Sequence, residues 1–168
     1  MWYYNKATCI LLFFFIVTLQ GSCDFEPLYK NPNANQEIYG YVHVLQINNK
    51  EGFHLREDLV RRFGNPRNNA YILEISINTS RIKEVITPTN EITSYRLVMT
   101  ANYVLKNSFG KLLIPKQITT ARTGFSSASN STGYATQVAE EAAKKRLAIK
   151  IGENINTQLL ILKEKWFE

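Results

Sequence analysis

The feature that most limits how this chain can fold is a two-residue alternation running from Ser94 to Lys106. Tyr95, Leu97, Met99, Ala101, Tyr103 and Leu105 hold one set of positions, and Ser94, Arg96, Thr100, Asn102 and Lys106 hold most of the other. Successive side chains of a strand point to opposite faces, so the segment reads as a strand with one face on a core and one in water. A helix would scatter the same apolar residues around its circumference. Asn107, Ser108, Phe109 and Gly110 follow as turn residues, and Lys111 to Phe125 returns as a second strand, closing a hairpin. Pro115 has no ladder donor and confines the early part of that strand to an edge or a bulge. Upstream, Tyr71, Leu73, Ile75 and Ile77 alternate with Ile72, Glu74, Ser76 and Asn78, which predicts another half-buried strand.

Two segments follow a helical period instead. Leu55, Leu59 and Phe63 recur every fourth residue among Arg56, Glu57, Asp58, Arg61 and Arg62, and Gly64, Asn65 and Pro66 end the run. From Tyr134 onward, Ala135, Val138, Ala139, Ala142 and Ala143 begin a small-residue stripe that continues through Ala148, Ile151, Ile155, Leu159 and Leu162. Its phase drifts, so the helix is expected to curve or loosen near Gly152. Ile38 to Ile47, rich in β-branched and aromatic residues, reads as the first strand. The order β-α-β-β-β-α implies an α+β two-layer sandwich: about four strands in an antiparallel or mixed sheet, with both helices packed on one face.

A chain of 168 residues with 8 glycines and 5 prolines is a single folding domain, neither disordered nor repetitive. Its two cysteines cannot build a disulfide scaffold, and neither belongs to a Cys/His cluster, so no metal and no cofactor is implied. The net charge of +6 is spread along the sequence and biases the surface mildly toward anions. There is no G-x-S-x-G elbow, no Gly-rich phosphate loop, and the adjacent Glu140 and Glu141 point in different directions from a helix. His43 and His54 stand alone in an apolar strand and at a helix start, which suits a structural role better than catalysis. No enzyme is expected. Tyr39, Tyr41, Tyr71, Tyr95 and Tyr103 could stack on bases, but their alternation with polar residues places most of them in a core, so nucleic acid is not expected as a partner.

The N-terminus carries an address. Lys6 precedes a nearly uninterrupted apolar run, Ala7 to Leu19, followed by Gln20, Gly21, Ser22 and Cys23. The run is short for a span across about 30 Å of hydrocarbon and has the layout of a signal peptide. Small residues before a cysteine resemble a bacterial lipobox, with Gln20 where leucine is usual; ordinary secretory cleavage is the alternative. Under the lipobox reading Cys23 is the lipidation site and the first residue after cleavage, so the mature chain has no second cysteine with which to pair. Two or more acyl chains, such as palmitate, exceed the single chain that gives only marginal membrane binding. The expected organisation is a signal peptide over 1–22, anchor and extended connector over 23–36, and one domain over 37–168.

The segment Cys23-Asp24-Phe25-Glu26-Pro27-Leu28-Tyr29 is similar to the C-G-F-x-P-L-Y opening of the alphaproteobacterial LptE family of lipopolysaccharide-assembly lipoproteins. Agreement in order extends through Gly52-Phe53-His54-Leu55-Arg56, Tyr71 to Leu73, Ser94-Tyr95-Arg96-Leu97, Leu105-Lys106-Asn107 and Ala139-Glu140-Glu141-Ala142-Ala143. Asp24 replaces the usual glycine, and in enteric bacteria an aspartate there favours inner-membrane retention. The resemblance implies a non-enzymatic lipoprotein on the periplasmic face of the outer membrane, held in the inner leaflet, plugging the LptD β-barrel and assisting lipopolysaccharide insertion. Lipid A phosphates suit charge-assisted donors, and the hairpin carries Arg96, Lys106, Lys111, Lys116 and Arg122 as candidates. Neighbouring strands are expected to bring several of them within reach of one head group; alternatively they are the solvated face of an edge hairpin. Different functional classes are a stand-alone periplasmic lipoprotein that binds a small ligand or serves an envelope transporter, and a secreted hydrolase with a dispersed site.

Overall fold

The computed structural model describes residues 37–67, 70–86, 92–126 and 133–167. The expected signal peptide, the expected lipidation site Cys23 and the expected connector lie outside them. Element order is β1 (Val42–Val44), α1 (Lys50–Phe63), β2 (Tyr71–Ile86), β3 (Ile92–Lys106), β4 (Leu112–Ser126) and α2 (Gly133–Ile161), closed by a 3₁₀ turn at Lys163–Lys165. The four strands form one sheet in the order β1-β2-β3-β4. β1 runs parallel to β2, pairing Val42 with Tyr71, and the other neighbours are antiparallel. This is the expected α+β arrangement with a mixed sheet.

The alternation in β3 sets the layers. Leu97, Met99, Ala101, Tyr103 and Leu105 are all buried, joined by Leu73 of β2 and by Ile114, Ala121 and Phe125 of β4. Leu55, Leu59 and Phe63 of α1, and Leu147, Ile151, Ile155 and Leu159 of α2, belong to the same core, so both helices cover one face. At roughly 25 cal/mol per Å² of apolar surface removed from water, this contiguous core is the main stabilising term. The opposite face of the sheet has no covering element among the described residues.

The structure departs from the sequence reading in four respects. The first strand shrinks from Ile38–Ile47 to three residues, because Gly40 takes a positive φ of 83° inside a turn where its N–H bonds the Phe63 carbonyl. β2 continues past Asn78 to Ile86, since β3 supplies ladder partners to a stretch whose own residues are polar. α2 runs unbroken through Gly152. Its early stripe is also displaced: Ala135, Val138 and Ala142 are exposed, and the buried face begins at Ala143 and includes Leu147. Alanines distributed around a helix define no face, so only larger side chains fix the phase.

Two glycines allow close approach. Gly152 is buried where α2 crosses α1, and a Cβ there would stand 2.4 Å from an Asp58 carboxylate oxygen. Asp58 is itself buried and accepts from Arg62 Nε at 2.7 Å and Arg61 Nη2 at 3.3 Å. Gly64 ends α1 at a φ of 75°, its N–H on the Val60 carbonyl and the Tyr39 ring against its Cα.

Candidate functional surface

The uncovered face of the sheet is built by the second half of the same alternation. Because a cross-strand pair points to one side, the even-numbered residues of β3 bring their partners with them. Asn102 lies between Ser76 and Ile118, Thr100 between Asn78 and Thr120, and Val98 between Ser80 and Arg122. The result is a surface of hydroxyls and amides with interspersed aliphatic side chains. Thr100 and Thr120 hydroxyls are 3.3 Å apart, and Ile118 is 65% exposed. An open cavity of about 360 Å³, lined by Glu74, Ser76, Asn102, Val104 and Lys116 among others, sits toward one end. Such a face can hydrogen-bond sugars and hold a phosphate.

The five candidate cations are not one cluster. Arg96 and Arg122 are diagonal neighbours on the open face, Arg96 opposite Gly124 and Arg122 opposite Val98. Lys106 lies eight residues further along β3 than Val98, which at about 3.4 Å per residue is roughly 27 Å away. Lys116 borders the cavity near that end, and Lys111 stands beyond it at the turn, lining a separate cavity with Phe109 and Lys165. The register therefore brings Arg96 beside Arg122 and leaves Lys111 apart from Lys116, and no single head group spans all five. Arg96 is bonded to Glu84, and Lys106 Nζ lies 2.7 Å from both carboxylate oxygens of Glu74. Arg122, Lys116 and Lys111 have no ion-pair partner among the described residues, which leaves their charge available.

Other candidates resolve structurally. His43 sits in β1 opposite Ile72, and His54 packs edge-on to Phe53 with its Nδ1 buried 4.0 Å from Glu57. Among the described residues no His, Cys, Asp and Glu group could hold a metal ion. Of the five tyrosines only Tyr103 is fully buried, and burial raises its phenol pKa. Tyr95 is stacked on Phe125 with Arg81 over its other side, Tyr41 and Tyr71 meet Phe167 and Trp166, and Tyr39 is half exposed on Gly64. Tyr41, Tyr71 and Tyr95 thus pack on phenylalanine and tryptophan rings.

Sequence reasoning missed an ion-pair network that fixes the helices to each other. Lys50 Nζ is 2.7 Å from Glu141, and Lys144 Nζ is 3.3 Å from both Glu51 and Glu140. Arg81 of β2 adds a 2.8 Å bond to Glu140. The hydrogen bond from Lys50 holds the Glu141 carboxyl below the usual carboxylate range. Burial by itself would lower the Lys144 ammonium, but the bonds from Glu140 and Glu51 outweigh it and raise the pKa. The acidic residues visible in the sequence, Glu140 and Glu141, thus serve packing.

Comparisons with known proteins align with this geometry. Residues 39–159 match the family model LptE, described as lipopolysaccharide-assembly. A crystal structure of a protein from Caulobacter crescentus CB15, assigned as a lipoprotein, superposes with a TM-score of 0.61 at 19% identity, covering 77% of this chain and 95% of that one. Rare lipoprotein B from Shewanella oneidensis gives 0.54 at 14% identity, over 72% of this chain and 96% of its own. A minor lipoprotein from Acinetobacter baumannii gives 0.54 at 13% identity, over 77% and 96% respectively. At these identities the shared property is the fold. No curated protein sequence matches the chain.

Proposed function

Because the chain belongs to the lipopolysaccharide-assembly family LptE, we propose that it is an outer-membrane lipoprotein, lipidated at Cys23, that occupies the LptD β-barrel and assists lipopolysaccharide insertion by binding alone. In this reading residues 1–22 are the signal peptide, 23–36 the anchor and connector, and 37–168 the working domain. One observation carries the glycolipid contact: a sheet face of hydroxyls and amides that no described element covers, with Arg122 and Lys116, which have no ion-pair partner among the described residues, at separate stations. A polar barrel lumen accepts such a surface without burying unpaired charge, while the apolar residues remain inside under the helices. Arg122 and Lys116 are then the donors to lipid A phosphates, and Arg96 and Lys106 need to exchange a carboxylate partner to join them.

Affinity purification of the membrane-held chain tests the partner: an integral β-barrel protein is expected in equal amount, and recovery of inner-membrane transporter subunits alone would transfer the assignment to an envelope transporter. Arg122→Glu with Lys116→Glu is expected to weaken lipopolysaccharide binding roughly tenfold or more and to flatten its salt dependence. An unchanged affinity in a folded variant leaves these residues as the solvated face of the hairpin. Fatty-acid labelling that persists in Cys23→Ala would remove the proposed anchor.

A further inference from the structure

We propose that the β3–β4 turn is a membrane-docking tip, placing Phe109 among the head groups of an anionic phospholipid leaflet. The turn is rigidly made. Asn107 Oδ1 accepts from the N–H of Phe109 at 3.0 Å and of Lys111 at 2.8 Å, the Gly110 N–H bonds the Asn107 carbonyl, and Gly110 takes a φ of 83°. A turn so well tied in a water-soluble hairpin has no need of a large apolar side chain, yet Phe109 is 93% exposed and Leu112, just beyond it, 50% exposed. Folding buries almost none of Phe109 and only half of Leu112, and an apolar phase outside the domain would cover the rest.

Charge and chain entry identify that phase. Phe109 shares a cavity of about 330 Å³ with Lys111, Lys165 and Glu164, and the two ammonium groups, which have no ion-pair partner among the described residues, outnumber the one carboxylate. An exposed aromatic side chain flanked by lysines is the pattern of an interfacial contact, the ring at head-group depth and the ammonium groups on phosphates. The same cavity is lined by Tyr71, whose N–H bonds the Tyr41 carbonyl, and Lys165 follows Lys163, which pairs with Glu37. The tip therefore lies at the end of the domain where the chain enters from its N-terminal segment. Between Cys23 and Glu37 stand only residues 24–36, a reach of at most about 50 Å fully extended. This inference rests on the reading of Cys23 as the anchor insofar as that anchor brings this end of the domain to the bilayer.

The test places tryptophan at the tip. The intact purified chain is reconstituted into phosphatidylethanolamine–phosphatidylglycerol vesicles containing lipids brominated high on their acyl chains. Emission is measured for Phe109→Trp and for a control, Ile118→Trp, after subtracting the unsubstituted anchored chain with its Trp166. Quenching at least about twofold at position 109, and little at 118, is the expected result for a side chain inserted at the interface. Adding Lys111→Glu and Lys165→Glu to Phe109→Trp is expected to abolish most of it. Equal quenching at both positions overturns the tip, as does absence of quenching at 109 on vesicle-held protein. Fatty-acid labelling of the same sample reports the anchor separately, so a labelled chain with an unquenched tip refutes the tip alone.

Discussion

At the scale of single residues, the position with the least freedom is Gly152. Replacing it with alanine improves intrinsic helix propensity by about 1 kcal/mol. The new methyl group, however, would meet an Asp58 oxygen at 2.4 Å, and Asp58 is buried and held by Arg61 and Arg62. Overpacking of this kind costs about 1–3 kcal/mol, so Gly152→Ala is expected to lower the urea midpoint despite the better propensity. Removing the obstacle should reveal the coupling: Gly152→Ala combined with Asp58→Ala is expected to lose less than the sum of the two single changes. Additive losses would show that the helices separate freely at this crossing. None of this was legible in the sequence, where Gly152 reads as a weak point in a helix and Asp58 as a solvated carboxylate. Only the meeting of residues 94 positions apart gives either its role.

At the scale of elements, the α1–α2 pair owes part of its register to the Lys50–Glu141 and Lys144–Glu51–Glu140 bridges. Glu141 has a lowered pKa when folded, so its contribution is present above the ordinary value of 4.5 and is lost as pH falls below it. Lys144 has a raised pKa, so its contribution is present below 10.5 and is lost as pH rises above it. Both side chains are partly exposed, and each pair is worth on the order of 1 kcal/mol or less after screening. Denaturant midpoints measured across pH should therefore fall modestly on both sides, with Lys144→Met flattening the alkaline limb and Glu141→Gln the acidic one. If the midpoint profile of either variant parallels that of the unsubstituted chain, the network carries no register. The elements themselves were largely visible beforehand, because periods of two and of about four are properties of local backbone geometry. β2 was read short because Arg81, Lys83 and Glu84 break the apolar alternation, and the first strand long because nothing local reveals that Gly40 turns.

At the scale of the whole molecule, a helix layer and an open sheet face divide the chain into a side that holds it together and a side free to meet something else. β4 forms an edge of fifteen residues, long enough to invite pairing with another chain. Pro115, Lys116 and Arg122 lie along it and oppose such pairing by lacking a donor or by repulsion. Replacing all three with valine is expected to produce concentration-dependent light scattering from a protein of unchanged circular dichroism; clear solutions at high concentration would show that this edge needs no guard. Two of those three residues are also the proposed phosphate donors, so edge protection and ligand contact draw on the same charges. The sequence alone determined the strand and helix periods, the sheet's two unlike faces and the family resemblance, since each depends on residues near one another along the backbone. Tertiary structure alone decided that five cations separate along the strands, that Asp58 seats on Gly152, and that Phe109, Tyr71 and Lys165 line one cavity. Those outcomes depend on strand register and on how two layers pack, which no local pattern encodes.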